Sequence, residues 1–101
     1  MAHLLVFEFP SAGPFGADAV AAFGELARDI AGEKGLVFKV WTEDAETGIA
    51  GGAYLFETKE DADRYLAFHS ERLRSVGVTD IDARSYGVNE GLSAITGIPP
   101  R

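Results

Sequence analysis

Apolar and polar positions along this chain fall into two periods, and the switches between them outline the elements. Alternation at every second residue marks a strand with one packed face, whereas apolar residues at every third or fourth position mark a helix. "HLLVFEF" (residues 3–9) reads as a strand and runs into the turn-rich "PSAGPFG". From Ala17 to about Ala31, Val20, Phe23, Leu26, Ala27 and Ile30 recur at helical spacing, with Asp18 in the first turn and Gly32 at the exit. "GLVFKVWTE" (35–43) and "AGGAYLFE" (50–57) predict a second and a third strand around the polar connection "DAETG". Thr58 followed by Asp61 resembles a capping box with Asp in place of Glu. It opens a helix through about Ser75 whose inward stripe is Ala62, Tyr65, Leu66, His69, Leu73 and Val76. "VTDIDARSYGV" (78–88) predicts the fourth strand, and Asn89 stands where it can cap a short closing turn, "EGLSAI".

The order β-α-β-β-α-β predicts an α+β, ferredoxin-like fold across a single domain, residues 1–101. Right-handed crossovers then give a four-stranded antiparallel sheet with both helices on one face. The other face should be polar in a monomer. The strands disagree. The first carries His3, Leu5, Phe7 and Phe9 on one side and Leu4, Val6 and Glu8 on the other, and the next two are apolar on both sides. A sheet that is apolar on both faces needs a second cover, so a homodimer packed sheet against sheet is expected, with a monomer bearing an open groove as the alternative.

Within the central hairpin, "FKVWTED" (38–44) sets Lys39 beside the chain's only tryptophan, Trp41. Folding the hairpin about "DAETGI" puts Trp41 opposite Gly52 and Lys39 opposite Tyr54. One face then holds Val37, Lys39, Trp41, Gly52, Tyr54 and Phe56, a mixture of flat rings and polar tips suited to a pocket wall. The other holds Leu36, Phe38, Val40, Ala53 and Leu55, which is packing material. Trp over Gly also covers a bare strand backbone, and lysine on an edge strand guards against aggregation, so packing accounts for the pair as well as a pocket does.

His69 is the second candidate, on the inward stripe with Tyr65 one turn before it and Arg72 one turn after. A buried neutral imidazole serves as a general base, or as a hydrogen-bonded core residue. Gly13 and Gly16 of "GPFG" permit unusual dihedrals, Pro14 stiffens the loop, and Phe15 is placed as a lid or a hydrophobic plug. The motif lacks the Lys-Ser/Thr ending of a phosphate loop. His3 near the terminus adds little, and two histidines without paired spacing do not make a metal site.

Composition narrows the classes. A net charge of −7 with scattered basic residues repels phosphate backbones, so no nucleic-acid partner is expected. Without cysteine there is no disulfide framework or thiolate chemistry, which fits the cytoplasm. "MAHLLVFEF" has no basic leader and meets Glu8 after a short apolar run, so neither a signal peptide nor a membrane span is expected.

Taken together and in order, "GPFG", "FKVWTED", "GGAYLFET", "YLAFHSERLRSVGV" and "VNEGLS" resemble the YdhR family of monooxygenases, over nearly the whole chain to about Ile95. The resemblance implies a dimeric α/β barrel of ferredoxin-like subunits. The wider superfamily includes small monooxygenases that oxidise polycyclic phenols to quinones without flavin, metal or haem, so it implies no cofactor. In such a reaction Trp41 and Tyr54 would orient the substrate ring, His69 would take its proton, and Arg72 or Lys39 would steady the anion. Phe15, Tyr65, Gly52 and Phe56 would complete the substrate site. Haem-degrading relatives use an Asn-Trp-His set with Asn on the first strand. Here that strand offers only His3 and Glu8 as polar residues, and the sole asparagine is Asn89. A dimeric binding protein for a small apolar ligand, or a purely structural dimer, would use the same aromatics without chemistry.

Overall fold

A computed structural model describes residues 1–98 of the chain. The elements run β1 (His3–Pro10), α1 (Gly16–Ala31), β2 (Leu36–Asp44), β3 (Ile49–Phe56), α2 (Lys59–Ser75), β4 (Asp82–Gly87) and α3 (Glu90–Thr96). The strands form one antiparallel sheet in the order β2-β3-β1-β4, the ferredoxin-like arrangement with α3 appended. The Thr58 side chain accepts from the Asp61 backbone N–H at 3.1 Å and starts α2. Asn89 does the same for Leu92 at 3.0 Å and starts α3. Each cap satisfies one of the backbone donors that a helix leaves unpaired at its N-terminus.

Residues paired directly across strands share a face. Lys39, Tyr54, Leu5 and Ser85 form one such row, and Trp41, Gly52, Phe7 and Ala83 the next. Both rows lie on the helix side, where Leu5, Phe7, Tyr54 and Phe56 pack with Ile30 of α1 and with Ala62, Tyr65 and Leu73 of α2. The hairpin register is the expected one at Lys39 and Trp41. It departs at the start of β2, where a register shift between Leu36 and Phe38 pairs Leu36 with Phe56. That irregularity takes up one extra residue, as a bulge does. Leu36 therefore joins the helix-side core instead of the outer face.

Three further expectations need correction. Val20 and Phe23 are not part of an inward stripe: Val20 is 73% exposed and Phe23 38%. Only the C-terminal part of α1 meets the core, with Ile30 buried and Leu26 partly so. Val76 is likewise exposed, because it caps the end of α2. β4 is shorter than "VTDIDARSYGV", beginning at Asp82, since Asp80 takes a left-handed turn at φ +52°.

The outer face retains its apolar character. Leu4, Val6, Phe38 and Ala53 are half-buried there, while Val40 and Tyr86 are 53% and 47% exposed. No described helix is long and apolar enough to cross a membrane.

Leu5 is fully buried at the centre of the helix-side core. Leu5→Ala should lower unfolding free energy by about 2–5 kcal/mol in urea titrations with an unchanged slope, and a loss below about 1 kcal/mol would contradict this placement.

Candidate active site

Three residues spaced for one helical face, Tyr65, His69 and Arg72, point from α2 toward Tyr54 on β3. Tyr54, Tyr65 and His69 are no more than 2% exposed. Burial of three polar tips in an apolar core is tolerable only if each finds a partner. Arg72 makes that possible. Its Nε donates to His69 Nδ1 at 3.3 Å, with Nη2 3.0 Å from the same nitrogen. Nη2 also donates to the Tyr65 hydroxyl at 3.2 Å, and Nη1 donates to Asp29 Oδ2 of α1 at 3.0 Å.

A guanidinium has no acceptor, so Nδ1 must be the unprotonated nitrogen of His69. The proton is then on Nε2, which lies 3.1 Å from the Tyr54 hydroxyl and donates to it. The ring is further clamped by stacking on Tyr65, with centroids 5.0 Å apart and planes 17° off parallel, and by the edge contact with Phe7 at 5.2 Å. Burial first, then the charges of Arg72 and Lys39, push the His69 pKa down to about 3. Tyr54 is pushed well above its ordinary value, mainly by burial and next by Tyr65. Burial likewise raises Tyr65, to about 12 against the pull of Arg72. In the neutral pH range the network is an uncharged core spanned by one cation.

Beside it, between the end of α1 and the edge strand β2, lies a cleft of about 210 Å³. Ala27, Ile30 and Ala31 form one wall, and Leu36, Lys39 and Trp41 line the other. The Lys39 amine sits 3.2 Å from the centroid of the Trp41 ring and 4.5 Å from that of Tyr54. Gly52 makes this possible: a Cβ there would come within 2.7 Å of Lys39 Cε. The bare backbone opposite Trp41 thus houses the lysine stem rather than open space in front of the indole. Burial, followed by the charge of Arg72, lowers the Lys39 pKa from 10.5 to about 7. The ring faces favour the ammonium and so oppose that drop.

The expected site residues therefore divide into two groups. Lys39 and Trp41 line the cleft, with Gly52 behind them. Tyr54, Tyr65, His69 and Arg72 form the hydrogen-bonded network, and Phe56 packs on Tyr65 at a centroid distance of 5.3 Å. Both nitrogens of His69 are engaged, and the imidazole does not line the cleft. Phe15 precedes α1 as its N-terminal cap residue, half-buried against Gly13, and it too is outside the cleft lining. Asp29 escaped the sequence reading because its side chain is mostly exposed. Its one visible signal is its position next to Ile30, the buried end of the α1 stripe. His3 is also better employed than its terminal position suggests, with Nε2 2.6 Å from Ser85 Oγ across the β1–β4 pair. Among the described residues, no three His, Cys, Asp or Glu side chains converge to hold a metal.

The depressed His69 value has a stability consequence. The ordinary pKa is 6.5 and the folded one about 3, so the unfolded chain binds an extra proton between those values. The contribution is intact above about pH 6.5 and is lost as pH falls toward 3. His69→Gln should remove this component. Urea unfolding of the variant should depend less steeply on pH in that window, by up to about 1.4 kcal/mol per pH unit, and equal slopes would show that His69 titrates normally.

By sequence, no curated protein matches the chain. Several solved structures share its fold. A mutant of SnoaB, a cofactor-independent oxygenase from Streptomyces nogalater, superposes with a TM-score of 0.60 at 15% identity, covering 87% of this chain and 93% of that one. A protein described as a putative antibiotic biosynthesis monooxygenase, from Deinococcus radiodurans, gives 0.55 at 17% identity, covering 88% and 93%. The protein YJCS gives 0.63 at 12% identity, covering 88% and 100%. At these identities the likeness is one of fold. The family match is of another kind, extending over residues 4–99 and described as "Putative mono-oxygenase ydhR". With that match running through the hairpin, the α2 network and the closing helix alike, the chain belongs to the ydhR family of mono-oxygenases.

Proposed function

We propose that the chain is a cofactor-independent monooxygenase, oxidising a small aromatic phenol or an enolisable hydrophobic compound with dioxygen. Family membership supports the reaction class. SnoaB, which shares the fold, is a cofactor-independent oxygenase, and the proposal carries that chemistry to this chain. In such a reaction the substrate supplies the electrons. Deprotonation makes the ring electron-rich enough to reduce dioxygen; one oxygen atom enters the ring and the other leaves as water. Phenol plus dioxygen gives quinone plus water, so atoms and electrons balance without an added reductant.

The observation that carries the reading is local charge. A chain of net charge −7 puts two basic groups, Lys39 and Arg72, beside an apolar cleft, with the exposed Asp29 carboxylate paired to Arg72. Such a site favours an anion that has lost its water. Trp41 offers a ring face for stacking, while Tyr54, Tyr65 and His69 hold Arg72 and the sheet wall in place. Gly52 and Phe56 support that wall, and Phe15 guards the loop before α1. A second reading, a non-catalytic binding protein for a small apolar ligand, draws on one observation: the His69 nitrogens are already satisfied. The functional unit in either case is a homodimer joined through the outer sheet face, on which Val40 and Tyr86 are exposed.

Oxygen uptake by chelator-treated protein, measured against a panel of hydroxyaromatics, tests the reaction. One dioxygen consumed per quinone formed is expected, and uptake no faster than in protein-free buffer for every compound that binds would leave only the binding reading. Light scattering at micromolar concentration should give twice the single-chain mass. Val40→Lys, on the exposed edge strand, should shift that mass toward one chain, and wild type at single-chain mass would overturn the dimer.

A further inference from the structure

The proposed oxidation needs a base, and the placement of His69 removes the residue that sequence position favoured. Its Nδ1 accepts from Arg72, and its Nε2 proton is directed to Tyr54. The cleft itself has a single ionisable side chain in its lining, Lys39. Among the described residues no carboxylate lies within ion-pair distance of that amine, which meets ring faces instead. The stem is held in the Gly52 gap, so the amine has a defined position.

We propose that the Lys39 amine, seated against Trp41 in the wall of the α1–β2 cleft, is the catalytic base that takes the proton from the substrate hydroxyl and then pairs with the anion it has made. The inference rests on the oxygenase reading and names the residue that starts the reaction. In the step, the substrate O–H bond breaks with its electron pair left on oxygen, and the nitrogen lone pair forms the new N–H bond. Nothing is oxidised or reduced until dioxygen accepts electrons from the anion.

The surroundings support a lysine that is neutral part of the time. The groups facing it are Tyr54 on β3, and Arg72 and His69 on α2; α1 contributes only Ala27, Ile30 and Ala31. Glu43, further along β2, accepts from the Gly16 N–H at 2.9 Å. Burial and Arg72 bring the amine to about 7, so both proton-accepting and proton-bearing forms are populated near neutrality. Once protonated, the ammonium is stabilised by the two ring faces and by the new phenolate. Loss of the proton before the next turnover is helped by the same burial that lowered its affinity.

Two variants separate the roles of base and fixed charge. Lys39→Met keeps the length without the amine, and Lys39→Arg keeps a cation that cannot accept a proton. With α-naphthol as the probe under anaerobic conditions, the ultraviolet phenolate band of the bound ligand should appear at lower pH than that of the free ligand, by about one unit or more. Lys39→Met should lose this shift. Lys39→Arg should retain it but lose turnover by about 10²–10⁴-fold in oxygen uptake with whichever phenol wild type oxidises. Wild type that fails to bind or ionise the naphthol overturns the proposal, as does Lys39→Met with an undiminished shift or Lys39→Arg with undiminished turnover. If wild type ionises the ligand and Lys39→Met does not, while no phenol supports oxygen uptake, the oxygenase reading fails and Lys39 remains the proton acceptor of a binding site.

Discussion

Three hydrogen-bonding side chains buried in an apolar core must be satisfied together or the fold loses stability, and Arg72 is what satisfies them. Leaving a buried polar group unpaired costs about 1–3 kcal/mol, so an unbonded Tyr54, Tyr65 and His69 would consume much of a small domain's stability. The guanidinium meets His69 and Tyr65 and reaches Asp29 on the other helix with its remaining nitrogen. His69 in turn reaches Tyr54 on the sheet. The network therefore ties α1, α2 and β3 at one point. The gap between the apolar end of α1 and β2 forms the cleft beside that point. Because both His69 nitrogens are spent on the network, the base we propose is Lys39, the one ionisable side chain in the cleft lining.

The architecture was largely legible in the amino-acid sequence, and for identifiable reasons. Period-two and helical patterns located the six main elements, and the polar "DAETG" connection forced Lys39 opposite Tyr54 and Trp41 opposite Gly52. The alternation could not reveal the bulge at the start of β2, since Leu36, Val37 and Phe38 are all apolar and either register looks acceptable. Nor did helical spacing show where α1 leaves the sheet: Val20 and Phe23 continue the stripe although only Ile30 is fully buried. Residues of similar hydropathy carry no label for the surface they meet.

Which candidate residues lie near one another was legible, Phe15 apart, but not how they are wired. Tyr65, His69 and Arg72 were visibly on one helical face, yet which His69 nitrogen carries the proton depends on a contact no spacing predicts. The Gly52 gap was expected to stand before the indole, whereas the flexible stem of Lys39 occupies it. Side-chain reach decided both outcomes. Long cationic side chains lie along apolar surface while their charged ends seek rings or acceptors, and a residue-level pattern does not contain that choice. Membership of the ydhR family gives the class of chemistry, and our proposal locates it at the lysine over the tryptophan.

The most direct measurement is a crystal structure of the protein with a hydroxyaromatic ligand bound in the absence of oxygen. The account predicts the ligand ring against Trp41 in the α1–β2 cleft, with its hydroxyl oxygen within about 3 Å of Lys39 Nζ and the Arg72–His69–Tyr54 hydrogen bonds intact. A ligand held instead in the core with its hydroxyl on His69, and with Arg72 or Tyr54 displaced to admit it, would contradict the account.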